Sequence, residues 1–145
     1  MDGIPRKIAL PTALAAWFAR RGWQPRPHQL AVLERTGAGR SVLLTAPTGG
    51  GKTLAGFLPS LCDLIGEREM AFPDGKLHTL YLSPLKALAV DVRRNLEEPI
   101  SDMDVPIRVE SRTGDTPQSR RQRQRKNPPH MLLTTPEQLA LLLSY

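Results

Sequence analysis

The 145-residue chain is 40% hydrophobic and 23% charged, an ordinary balance that excludes global disorder and fits one globular domain. No apolar run approaches the roughly 20 residues of a membrane-spanning helix, and the opening MDGIPRKIALP lacks the apolar core of a signal peptide. Cys62 is the single cysteine, which excludes an internal disulfide framework and a multi-cysteine zinc site, while the net charge of +6 admits a polyanionic partner without identifying one.

In chain order, residues 12–20 (TALAAWFAR) read as a helix, and GWQPRPHQLAVLER as a proline-stiffened turn entering a second helix at Pro27. Trp17, Phe18 and Trp23, three of the chain's seven aromatics, are expected to fasten this segment to a sheet. Residues 41–45 (SVLLT) form a short apolar run without alternation, as a strand covered on both faces does. After a glycine-rich stretch, Leu54, Phe57, Leu58, Leu61 and Ile65 recur at helical spacing. Residues 67–76 (EREMAFPDGK) read as a loop closed by a Pro-Asp-Gly turn. Residues 79–82 (TLYL) predict a strand, and Pro84 then opens a helix carrying Leu85, Leu88, Ala89, Val92 and Leu96. Residues 106–109 are a third candidate strand, and 131–134 (MLLT) a fourth, followed by a helix from Pro136.

This rhythm predicts an α/β fold, a parallel sheet with helices on both faces (residues 41–145), preceded by an N-terminal helical segment (residues 1–40). Each β-to-α turn then lies at the carboxyl edge of the sheet, where open α/β folds bind ligands.

The strongest motif is Ala46-Pro47-Thr48-Gly49-Gly50-Gly51-Lys52-Thr53, set between a strand-like and a helical stretch as a P-loop requires. Its glycines let the backbone wrap closely and turn N–H groups toward phosphate oxygens, and the following helix dipole adds to that field. Lys52 brings a full charge to the β- and γ-phosphates of ATP, and the Thr53 hydroxyl is placed to ligate Mg²⁺. Ala46 stands where the pattern has its first glycine, and a small residue with ordinary backbone preserves the cradle. A plain glycine-rich turn explains the glycines but not the Lys-Thr pair directly after them.

APTGGGKT, followed in order by LYLSPLKALAVDVRRNL, RTGDT and LLTTPEQLALLLS, resembles the first motor domain of superfamily-two DEXH-box helicases. The likeness is to the large helicase-related group, above all the bacterial ligase-associated DEXH-box helicases, and it runs from about Trp17 to Tyr145. It implies a RecA-like P-loop NTPase fold. It also implies that Gln29, in PRPHQ, reads the adenine edge, with Arg26 and Trp23 as weaker candidates to flank the base. A side-chain amide carries the donor and acceptor that adenine's edge needs, although the same glutamine also suits a plain helix surface.

The resemblance further implies nucleic-acid contacts by Ser83, Pro84, Leu85, Lys86 and Ala87, by Arg112, Thr113, Gly114 and Asp115 with Thr116 beside them, and by Thr134, Thr135, Pro136 and Glu137. Helix starts of this kind hold phosphates through N–H groups, and Thr135 ahead of Pro136 also suits a helix cap. From Arg112 to Lys126 the chain carries a net +5, so part of QSRRQRQRK is expected to line the nucleic-acid path, with a solvated face the plain alternative.

No Asp-Glu-x-His box occurs in the 145 residues. The expectation is therefore an incomplete first motor domain that hydrolyses ATP poorly alone, belonging to an ATP-dependent DNA helicase or translocase of DNA repair. Its expected partners are single-stranded DNA, or RNA, and repair proteins such as a ligase or nuclease. Its expected location is cytoplasmic, with the nucleoid. The alternatives are an RNA-remodelling motor and a non-catalytic nucleic-acid-binding module.

Overall fold

The computed structural model describes residues 8–47, 49, 51–66 and 74–144. The chain divides into two compact units, Met1–Glu69 and Met70–Tyr145.

The first unit contains α1 (Thr12–Arg20), α2 (Pro27–Gly37) and α3 (Lys52–Gly66). Helix α1 buries Leu14, Trp17 and Phe18, and α2 buries Val32 and Leu33. Helix α3 buries Ala55, Phe57, Leu58, Leu61, Leu64 and Ile65, spaced so that its apolar stripe packs against α2. Pro59 lies within α3 and removes one helical donor. The unit itself has no strand among its described residues for the three aromatics to rest on. They pack on each other instead: Trp17 meets Phe18 edge-on at 5.2 Å and Trp23 at 5.8 Å, with the Arg21 guanidinium 5.1 and 5.3 Å from the two indole rings. Burial, and then the Asp63 carboxylate, push the Cys62 thiol up to about 11, which keeps it protonated and unreactive.

Residues 41–45 are not a strand. They lie in no hydrogen-bonded ladder among the described residues, and Leu43 is 88% exposed where a doubly covered strand buries every side chain. An apolar run encodes the capacity to pair, and a strand forms only where a neighbouring strand accepts its N–H and C=O groups.

The second unit is α/β, with β1 (Thr79–Leu82), α4 (Lys86–Asp102), β2 (Val109–Arg112), α5 (Gln118–Lys126), β3 (Met131–Thr134) and α6 (Pro136–Leu143). Its three strands are parallel in the order β1-β3-β2. Central β3 is buried at all four residues, as a parallel strand with neighbours on both sides should be. Helix α4 packs on β2 and β3 and buries Ala89, Val92, Leu96 and Ile100.

Three boundaries depart from the sequence reading. The third strand is Val109–Arg112, not 106–109: Pro106 has no N–H to donate, the Ile107 N–H turns back to Val105 O at 2.9 Å, and the Arg108 N–H goes to His130 Nδ1 at 2.9 Å. Helix α4 begins at Lys86 rather than Pro84, because the Ser83 hydroxyl accepts the Leu85 N–H at 3.3 Å and holds residues 83–85 in a turn. Most of the predicted loop 67–76 lies outside the described residues; Asp74 and Gly75 form a turn in which the Gly75 N–H bonds Asp74 Oδ1 at 3.1 Å. No helix among the described residues is long and apolar enough to cross a membrane.

His130, buried at the start of β3, accepts through Nδ1, so its proton sits on Nε2. Burial, and then the Arg108 guanidinium, hold its pKa below the ordinary value of 6.5. The unfolded chain therefore binds a proton that the folded ring refuses. The resulting stability is fully present above about pH 6.5 and is lost as pH falls through the lower folded value. His130→Asn offers the Arg108 N–H a non-titrating acceptor. The difference in urea midpoint between wild type and His130→Asn should shrink as pH drops from about 7.5 toward 5. A difference that stays constant across that range contradicts the assignment.

Candidate nucleotide and nucleic-acid sites

The first candidate site lies wholly in the first unit, where the start of α2 meets the loop ahead of α3. Arg26 caps α2 in extended backbone, and the Gln29 side chain reaches back so that Oε1 accepts the Arg26 N–H at 2.8 Å. The same amide donates from Nε2 to Gly51 O at 3.3 Å, and Arg26 Nη1 approaches Gly49 O at 3.4 Å. Gly51 O also accepts the Ala55 N–H at 3.0 Å, so one carbonyl joins the glutamine to the first turn of α3. Gly49 and Gly51 have φ of +80° and +76°, a region costly for residues with a Cβ. At Gly51 a Cβ would also fall 2.8 Å from Gln29 Nε2, so the backbone requires glycine there and an added methyl would displace the Gln29 amide.

Lys52 and Thr53 open α3 with exposed side chains, open to a phosphate and to a cation. Ala46 is half-buried and Pro47 exposed, while Thr48 and Gly50 lie outside the described residues. Gln29 is 3% exposed and uses one donor and one acceptor internally, which leaves one N–H and one lone pair of its amide. Trp23 is engaged by Trp17 and Arg21. Among the described residues no group of three His, Cys, Asp or Glu side chains is gathered for a metal. The Thr53 hydroxyl is an exposed oxygen donor of the kind a hard cation accepts.

The second candidate site is the carboxyl edge of the β1-β3-β2 sheet. Register aligns Leu82, Thr134 and Arg112, so the residues that follow them, Ser83, Thr135 and Thr113, leave the sheet side by side. The edge is bonded across: the Ser83 N–H donates to Thr134 O at 3.0 Å, and the fully buried Thr134 hydroxyl donates to Arg112 O at 2.7 Å.

The structure sorts the predicted contacts into two classes. Ser83, Arg112, Thr113, Thr134 and Thr135 are buried, so their side chains shape the edge from beneath. Pro84, Leu85, Lys86, Ala87, Gly114, Asp115, Pro136 and Glu137 are exposed and form its outer surface. Thr135 does occupy the cap position of α6, yet its side chain makes no capping bond. Lys86 pairs with Asp115 and so links the first turn to the second.

Helix α5 is less free than its charge suggests. Arg123 pairs with Glu110 at 3.0 Å, and Gln124 bonds Glu110 Oε2 at 2.9 Å and Ser111 O at 3.2 Å. Arg121 donates from Nε to Thr116 O at 2.8 Å and from Nη2 to Thr113 O at 3.1 Å and Gly114 O at 2.8 Å. These bonds run across the β2–α5 turn, and nothing in a run of alternating Arg and Gln announces which arginine points inward.

A family model described as DEAD/DEAH box helicase matches residues 26–144. The chain is 42% identical over 139 residues to the ATP-dependent helicase Lhr-Core protein 2 of Thermococcus barophilus, covering 88% of this chain and 16% of that protein. It is 41% identical to the Lhr helicase/uracil glycosylase of Escherichia coli, covering 88% of this chain and 9% of the relative. Among solved structures it matches the Mycobacterium smegmatis helicase Lhr bound to ssDNA and AMP-PNP, with TM-score 0.81 and 39% identity over 94% of this chain and 19% of that one. The chain thus spans less than a fifth of the length of these proteins.

The tie between Gln29 and Gly51 makes a direct demand on nucleotide binding. Gly51→Ala places a Cβ at φ +76° and against the amide, and should weaken ATP binding about tenfold or more in a fluorescent-nucleotide titration. Gly49→Ala meets open space and should lose less. Equal losses at the two glycines would mean that the Gln29 contact does not shape the loop.

Proposed function

Because the chain belongs to the DEAD/DEAH box helicase family, we propose that the full-length protein is an ATP-dependent DNA helicase or translocase. In this reading the segment holds the nucleotide phosphates and part of a single-stranded nucleic-acid path. The observation that carries it beyond a generic P-loop ATPase is the shared edge, where Ser83, Thr113 and Thr135 leave adjacent strands together. Three turns in a row suit a ligand with repeating phosphates and read no bases. DNA is favoured over RNA by the ssDNA bound in the Mycobacterium smegmatis helicase Lhr structure.

The chemistry follows from the first site. ATP phosphates meet the loop amides and the start of the α3 dipole, and Lys52 supplies the charge that bulk water supplies poorly. Thr53 is the residue present that would ligate Mg²⁺, which when bound neutralises charge on the β- and γ-phosphates. The unused half of the Gln29 amide faces the adenine edge. Because its other half holds Gly51, an occupied base pocket also steadies the loop. No Asp-Glu-x-His box occurs in these 145 residues, and the part this reading gives to the segment is nucleotide binding. A role in DNA repair with a ligase or nuclease, and a cytoplasmic, nucleoid-associated location, extend this reading on the family resemblance.

Lys52→Ala in the full-length protein should reduce ssDNA-stimulated ATP turnover on the order of a hundredfold. Its affinity for ssDNA without nucleotide should stay within about twofold, since Lys52 is not among the edge residues. Retained stimulated turnover would sink the P-loop assignment. Stimulation by RNA but not by DNA would replace the substrate.

A further inference from the structure

The turn at residues 113–116 has more polar main chain than it can satisfy alone. The Thr113 N–H bonds Thr116 Oγ1 at 2.9 Å, the Thr116 N–H bonds Thr113 O at 3.2 Å, and the Asp115 N–H leans on Thr113 Oγ1 at 3.4 Å. The carbonyls of Thr113, Gly114 and Thr116 all turn toward one partner, the Arg121 guanidinium, at 3.1, 2.8 and 2.8 Å. Arg121 is in turn gripped from below, since its own carbonyl accepts Nη1 of the buried Arg112 at 3.4 Å. The Gly114 N–H has no acceptor among the described residues, and Gly114 is exposed.

We propose that Arg121 is a positioning residue for nucleic-acid binding, a clamp that draws the carbonyl oxygens of the turn to one side and leaves the Gly114 N–H presented to phosphate. The proposal rests on the nucleic-acid reading above and gives Arg121 a different part in it from a basic side chain lining the strand. A carbonyl oxygen repels phosphate as a like partial charge, whereas an amide N–H attracts it. Three carbonyls gathered on one guanidinium remove that repulsion from the outer face. The planar fork of arginine spans several acceptors at once; an ammonium, a compact point charge, does not. Nε and Nη2 of Arg121 are committed to these bonds, so most of its donor set is withheld from a strand.

Charge and shape separate in the test. In the full-length protein, Arg121→Lys keeps the charge and loses the fork, and should weaken binding of a labelled single-stranded oligonucleotide about tenfold. The slope of log affinity against log salt should stay at its wild-type value in Arg121→Lys and Arg121→Gln alike. Thr116→Ala loosens the same turn without changing any charge and should reproduce the loss. Amide hydrogen exchange at Thr113, Asp115 and Thr116 should speed up about tenfold or more in Arg121→Lys while β3 keeps its protection. Wild-type affinity in Arg121→Lys overturns the proposal, and so does a slope reduced by about 0.7 in Arg121→Gln, the signature of a lost phosphate contact. If wild-type protein fails to bind the oligonucleotide at all, the proposed function falls. The exchange measurement then still decides the clamp, and unchanged protection refutes it.

Discussion

The arrangement of the second unit depends on the bonding of β3 to both neighbours at its carboxyl end. Thr134 is the pivot: its carbonyl accepts the Ser83 N–H and its hydroxyl reaches Arg112 O at 2.7 Å, with the residue fully buried. A slip of one residue in either ladder would invert the faces of a strand and break the bond that crosses that ladder. Because the ladders are parallel, all three strands end at the same edge, and each continuation carries a turn and a helix start. Buried threonine and serine at this edge follow from that geometry. Their small side chains satisfy main-chain groups in a crowded junction while leaving the outer surface to glycine, proline and the first residues of helices.

The nucleotide site applies the same economy by other means. Two positive-φ glycines shape a loop, and a buried amide from a different helix fixes it. Gln29 is thus structural and available at once, since half of its hydrogen-bonding capacity organises α2 and the loop and half remains. The plain reading of Gln29 as a helix-surface residue does not hold, because the side chain is buried and bonded to Arg26 and Gly51.

Much of this was legible before any coordinates. Helices 12–20 and 136–143 and strands 79–82 and 131–134 follow from apolar spacing and from prolines at element starts. The misplaced elements share one cause: they depend on partners distant in sequence. Residues 41–45 carry every local mark of a strand but lie in no ladder, and β2 starts late because His130, 22 positions away, takes the Arg108 N–H. The P-loop was legible because its chemistry is local and its residues contiguous. The motifs proposed to meet nucleic acid stand in order in the sequence, but the division between buried supports and exposed surface does not show there, because burial at a β-to-α turn is set by the strands alongside.

The basic helix shows why charge counting alone misassigns function. Helix α5 carries most of the local positive excess, yet Arg123 is spent on Glu110 and Arg121 on main-chain carbonyls. Each guanidinium is drawn to the nearest oxygens that can meet its planar donors, and at a turn rich in unsatisfied carbonyls those oxygens belong to the protein. A phosphate backbone offers the same kind of acceptor but has to compete with partners already held at no cost in association entropy. What the second unit leaves open for the proposed strand is the exposed main chain of the turn and Lys86, whose partner Asp115 is itself solvent-accessible.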